Sequence, residues 1–117
     1  MMPVQRHREE RRCVRVPIEL HVTVAAPGSG ESTTGIARDI SVGGVFIETT
    51  CAAAFGTPVV IGFVSPGIGA EVLLPATVRW SSATGLGLQF GLLGARETHA
   101  ITELMRRHSG VRERVRL

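Results

Sequence analysis

Between Val14 and Val24 the chain alternates apolar and polar residues. Val14, Val16, Ile18, Leu20, Val22 and Val24 fall on one side, and Arg15, Glu19, His21 and Thr23 on the other. A period of two places successive side chains on opposite faces of an extended chain, so this segment reads as a strand with one buried face. Pro17, near its start, lacks a backbone donor and marks a sheet edge or a bulge. Shorter segments of the same kind follow, punctuated by glycine, proline and small polar residues. After a turn at 26–32, Thr34 to Ile40 reads as a second strand. Ser41-Val42-Gly43-Gly44 turns the chain into a third, Val45 to Thr49. A fourth spans Pro58 to Val64, a fifth Glu71 to Trp80 with an interruption at Pro75, and a sixth Gly85 to Phe90.

The period then changes. Ile101, Leu104, Met105 and His108 recur at i, i+3, i+4 and i+7, one face of a helix. Glu103 and Arg107 are spaced for a supporting pair, and Gly110 suits the left-handed position just past a helix end. Six short strands and one helix point to an all-β domain, a small antiparallel barrel or sandwich with the helix laid against it. At 117 residues and 44% hydrophobic, the chain is one domain with a core of its own. Residues 1–10 read as a flexible basic arm, 11–110 as the domain, and 111–117 as a disordered basic tail. The apolar stretch Cys51 to Val64 is broken by Gly56, Pro58 and Gly62 and is too short to cross a bilayer. With no secretory pattern at its start, the chain is expected in the cytoplasm, with Cys13 and Cys51 reduced.

All 13 basic residues are arginine. Residues 1–15 carry +3 and residues 106–117 carry +4, while the body between carries −4. Arginine's planar guanidinium forks onto phosphate or a guanine edge and stacks on flat rings. Enzyme patterns are missing. His7, His21, His99 and His108 have no companion at metal-ligand spacing. Asp39 is the sole aspartate, and no nucleophile elbow, P-loop or dinucleotide fingerprint occurs. The reading is therefore non-catalytic, without cofactor or metal.

Two stretches complement each other. Arg11-Arg12-Cys13-Val14-Arg15 leads into the first strand, and Asp39-Ile40-Ser41-Val42-Gly43-Gly44 lies between the second and third. The first offers forked donors. The second offers a carboxylate, a hydroxyl and a flexible backbone that a ligand can approach. Guanine presents O6 and N7 as acceptors on one edge, which an arginine satisfies. On another edge it presents N1–H and N2–H, which a carboxylate satisfies. Alone, each stretch is also what a solvated arm or an ordinary Asx turn looks like.

Arg11-x-x-x-Arg15 followed by Asp39-x-Ser41-x-x-Gly44 resembles the signature of PilZ domains, bacterial receptors for the second messenger cyclic dimeric GMP. Gly44-Val-Phe-Ile, Val78-Arg-Trp80 and Gly85-Leu-Gly-Leu-Gln-Phe90 are similar too, so the resemblance covers about residues 8–108. It implies a six-stranded antiparallel β-barrel with a C-terminal α-helix. It implies that Arg11 and Arg15 grip guanine edges and phosphates, that Arg12 adds a stacking or phosphate contact, and that Asp39 and Ser41 face guanine. Gly44 is the family's turn glycine, and Gly43 is additional here. Arg8 and Arg12 share the four-residue spacing; Arg11 and Arg15 are preferred because the strand follows Arg15 directly. Arg8 and Trp80 are weaker candidates, since a lone tryptophan is usually core. The implied mechanism orders the N-terminal arm over the ligand and so signals to a downstream protein. Two rival readings are a PilZ-like adaptor that ignores nucleotide and a small nucleic-acid-binding barrel, the latter suggested by a pI of 10.1. The aromatic residues count against nucleic acid, because four Phe and one Trp fall mostly at expected core positions.

Overall fold

The alternation at the start of the chain becomes β1 (Val16–Ala25). It is followed by β2 (Ser32–Ile40), β3 (Gly44–Glu48), β4 (Pro58–Ser65), β5 (Ala70–Ser81), β6 (Gly85–Phe90) and a helix, α1 (Ala95–Arg116). The structure is a computed structural model and describes residues 14–28 and 30–116, with side chains through Ser109. The proposed arm at 1–10 and Arg8, Arg11, Arg12 and Cys13 lie outside the described residues.

The strands close in the order β1-β2-β3-β6-β5-β4, every pair antiparallel. The seam is short, with β1 meeting β4 only at Thr23–Ala25 against Gly62, Ile61 and Val60. Closure leaves no open sheet edge. Away from three irregularities, every second residue points inward, so Val16, Ile18, Val22, Ile47, Ile61, Leu74, Val78, Leu86 and Leu88 are buried together. Ala100, Ile101 and Leu104 of α1 join them, placing the helix over one end of the barrel. An internal void of only about 10 Å³, lined by Leu104 and barrel residues, remains. A filled barrel holds no ligand inside, so any site is on the outer wall. Among the described residues no helix is long and apolar enough to cross a membrane.

The ladders slip at three places. Pro17 pairs with Asp39 but Leu20 with Ala37, which is the bulge expected near Pro17. Ala37 pairs with Ile47 and Asp39 with Phe46, so Arg38 is an extra residue on β2. Val78 pairs with Leu88 and Trp80 with Gly87, so Arg79 is an extra residue on β5. Such bulges bend a strand and re-aim its side chains.

Several local expectations are corrected. β5 is not interrupted at Pro75, which pairs with Val60 inside a continuous strand. The Pro75 carbonyl accepts from Gly91 N–H at 2.8 Å, on the β6 side. A residue's N–H points to the same side as its carbonyl in an antiparallel ladder, and β6 ends there, so the missing donor breaks no β4 bond. The helix runs through Gly110 to Arg116, and residues 111–116 continue it rather than forming a tail. One glycine inside a helix costs about 1 kcal/mol against alanine, too little to stop it alone. Glu103 pairs with Arg106, one position earlier than Arg107. At the other end of α1, Glu97 Oε1 accepts from Gly94 N–H at 3.0 Å, one half of a capping box.

Candidate functional site

Arg15 immediately precedes β1, and Asp39 is next to last in β2. Because Pro17 lies opposite Asp39, the two charged side chains meet although they are 24 residues apart. Arg15 Nε donates to Asp39 Oδ1 at 2.8 Å, and Nη2 lies 2.5 Å from the same oxygen. Oδ2 is left without a partner among the described residues. The side chains are 49% and 35% exposed. An ion pair so open to water is worth about 0–1 kcal/mol, so exchanging it for contacts to a ligand costs little.

The turn after β2 is organised from within. Ser41 is 2% exposed. Its Oγ accepts from Gly43 N–H and Gly44 N–H, both at 3.2 Å, while its own N–H donates to Gly44 O at 2.8 Å. The hydroxyl thus holds the turn and is buried beneath it. Gly44 is set by close packing: a Cβ there would lie 2.3 Å from the Leu88 carbonyl oxygen. Gly43 is exposed with nothing within 4 Å of a Cβ position, and its carbonyl accepts from Phe90 N–H at 2.9 Å.

An aromatic shelf adjoins the ion pair. Asp39 pairs with Phe46, Phe46 with Gly87, and Gly87 with Trp80, one row across β2, β3, β6 and β5. The rings of Phe46 and Trp80 stack with centroids 5.3 Å apart and planes 12° apart. Gly87, between them, makes room for the indole, since a Cβ would lie 2.2 Å from Trp80 Nε1. Trp80 is 52% exposed, which corrects the expectation of a core tryptophan. Val72, Leu74, Ala76 and Val78 are buried in strict alternation, and the extra residue Arg79 turns Trp80 outward instead of in.

Arg15, Asp39, Ser41, Gly43, Gly44, Phe46, Arg79, Trp80, Gly87 and Gln89 line one open groove of about 700 Å³. The structure therefore gathers five residues the sequence singled out, Arg15, Asp39, Ser41, Gly43 and Gly44, together with the weaker candidate Trp80. Phe46, Gly87, Gln89 and Arg79 were not foreseen. All four lie within segments already noted for their resemblance, and alternation from Val78 turns Arg79 outward; nothing in the sequence puts Trp80 on the same face beside it. A second hollow of about 510 Å³ between residues 49–54 and 81–83 has only small neutral walls, which offer an anion no charge. Among the described residues no cluster of His, Cys, Asp or Glu could hold a metal ion.

The sequence matches the PilZ domain family over residues 5–107. The chain belongs to that family. Solved PilZ structures share its fold. The PilZ domain of CeSA from a cellulose-synthesizing bacterium is 23% identical with a TM-score of 0.66, over 85% of this chain and 98% of that one. The PilZ domain of YcgR from Escherichia coli, solved with c-di-GMP, is 13% identical with a TM-score of 0.69, over 90% and 96%. The MrkH–c-di-GMP complex of K. pneumonia is 15% identical with a TM-score of 0.67, over 89% of this chain but 55% of that one. No curated protein sequence matches the chain significantly. The PilZ match includes Arg8, Arg11 and Arg12 as well as the described groove residues.

Proposed function

We propose that this PilZ domain is a non-catalytic receptor for cyclic dimeric GMP, binding it in the groove beside the Arg15–Asp39 pair. The observation that carries the reading is that pair at the end of an exposed aromatic shelf. Arg15 offers a fork for guanine O6 and N7, Asp39 a carboxylate for N1–H and N2–H, and Phe46 with Trp80 a flat surface for the base. Arg11 and Arg12, with Arg8 further out, supply donors for the two phosphates. Ser41 serves by shaping the turn, and Gly43 and Gly44 let the ligand approach its backbone. Two relatives of the same fold, YcgR and MrkH, are solved with this ligand. Binding orders the arginine-bearing N-terminal segment over the groove, and the altered face is read by a downstream protein in the cytoplasm.

Calorimetric titration with cyclic dimeric GMP, with GTP as control, tests the reading. Wild type is expected to bind at micromolar affinity or better. Arg15→Ala and Asp39→Ala are each expected to weaken binding by about tenfold or more, since a charge-assisted contact is worth about 1.5–3 kcal/mol. Undiminished binding by Arg15→Ala removes it from the site, and no binding by folded wild type at saturating ligand leaves a nucleotide-blind adaptor. Single-stranded nucleic acid is the competing ligand, because the exposed Trp80 ring, backed by the half-buried Phe46, would accept any base. Strong, salt-sensitive retention of an oligonucleotide would favour it.

A further inference from the structure

The bulge that turns Trp80 outward leaves Arg79 opposite no residue of β6. Both side chains are exposed, and both line the groove. We propose that Arg79 is a ligand-binding residue of this groove that contacts an anionic phosphodiester, and that Phe55 is the residue that positions it. The proposal rests on reading the groove as a cyclic dinucleotide site.

Charge balance favours it. Arg15 is paired with Asp39, Arg38 with Glu48 and Arg106 with Glu103. Arg79 has no carboxylate partner among the described residues. Within the described groove, Arg15 and Asp39 cancel and Arg79 supplies the uncompensated charge. An entering dianion meets this guanidinium without first breaking an ion pair. Its position is also held. The Arg79 guanidinium carbon lies 5.5 Å from the centroid of the Phe55 ring. Phe55 is 72% exposed and takes no part in the core. Its loop is pinned to β5 on the C-terminal side, because Gly56 N–H donates to Val78 O at 2.8 Å and Val78 N–H donates to Thr57 O at 3.0 Å. A cation resting on an exposed ring keeps its remaining donors free for an anion.

Calorimetry with cyclic dimeric GMP at two salt concentrations decides it, with melting temperatures confirming that each variant is folded. Arg79→Ala is expected to weaken binding by about tenfold and to flatten its salt dependence. Arg79→Lys should restore part of the loss, because a phosphate accepts a point charge. Phe55→Leu should weaken binding by about two- to fivefold. Arg38→Ala, already satisfied by Glu48, should stay within about twofold of wild type. If Arg79→Ala binds as wild type does while Arg15→Ala has lost affinity, the groove reading stands and the role of Arg79 falls. Equal losses in Arg79→Ala and Arg79→Lys overturn the phosphate contact. A folded wild type that does not bind the dinucleotide removes both readings.

Discussion

Replacing Gly87 by alanine puts a methyl group where the Trp80 indole lies. The new Cβ would stand 2.2 Å from Nε1, 2.4 Å from Cε2 and 2.8 Å from Cδ1. Ordinary carbon contacts are roughly 3.5–4.0 Å, so the ring must retreat by about 1–1.5 Å. The obstacle is a half-exposed side chain rather than backbone, so the indole swings into water and β6 keeps its course. The Phe46–Trp80 stack is then lost, at about 0.5–1.5 kcal/mol, which lowers the melting temperature by roughly 2–8 °C in a domain of this size. Binding suffers more. A base stacked on an aromatic side chain contributes about 1–3 kcal/mol, a rise in Kd of about 5- to 150-fold. Trp80 is the sole tryptophan, so its emission reports the shelf directly. Gly87→Ala is expected to shift emission toward that of a solvated indole and to weaken titration with cyclic dimeric GMP. Unchanged emission together with unchanged affinity would refute the role assigned to Gly87 and its shelf.

Three further outcomes are expected. Gly44→Ala forces a Cβ against the Leu88 carbonyl at 2.3 Å, backbone that cannot swing aside, and should destabilise the domain by about 1–3 kcal/mol; Gly43→Ala meets open space and should change stability by less than about 0.5 kcal/mol. Thermal melting separates the two. Ser41→Ala deprives two turn N–H groups of their acceptor and should cost about 1–3 kcal/mol in denaturant unfolding. Leu104→Ala opens a cavity where α1 meets the barrel and should cost about 2–5 kcal/mol by the same measurement, leaving the groove untouched.

Much of the barrel was legible because one wall of each strand faces the core. β1 alternates so regularly that Val16, Ile18, Val22 and Val24 are legible as its buried face, although Val14, expected on the same side, precedes the strand and is exposed and Leu20 is only partly buried; Gly85–Phe90 carried its own boundaries. The meeting of Arg15 with Asp39 could be anticipated, because charge and hydrogen-bonding polarity matched across two segments. What stayed hidden depends on ladder register. Continuing the alternation past Val78 puts Trp80 inside; only the pairing partner on β6 reveals the extra residue that sends it out. Pro75 reads as a break in β5 because proline lacks a donor, but the harm depends on which neighbour that donor would face. Ser41 has the right identity for a ligand contact, yet burial and two backbone partners give it an architectural task. Gly110 looked like a stop signal, and the helix passes through it.

The three slips in pairing all touch one circumferential row, Pro17–Asp39–Phe46–Gly87–Trp80. On β2 and on β5 the slip sends two consecutive side chains outward, Arg38 with Asp39 and Arg79 with Trp80. Facing on each strand is therefore phased separately on either side of this girdle. Deleting Arg79 alone would restore perfect alternation with the indole still outward, directly after the inward Val78, and would take the extra guanidinium off the groove while every other residue keeps its identity. Length, not only composition, is thus a heritable specificity determinant on this surface.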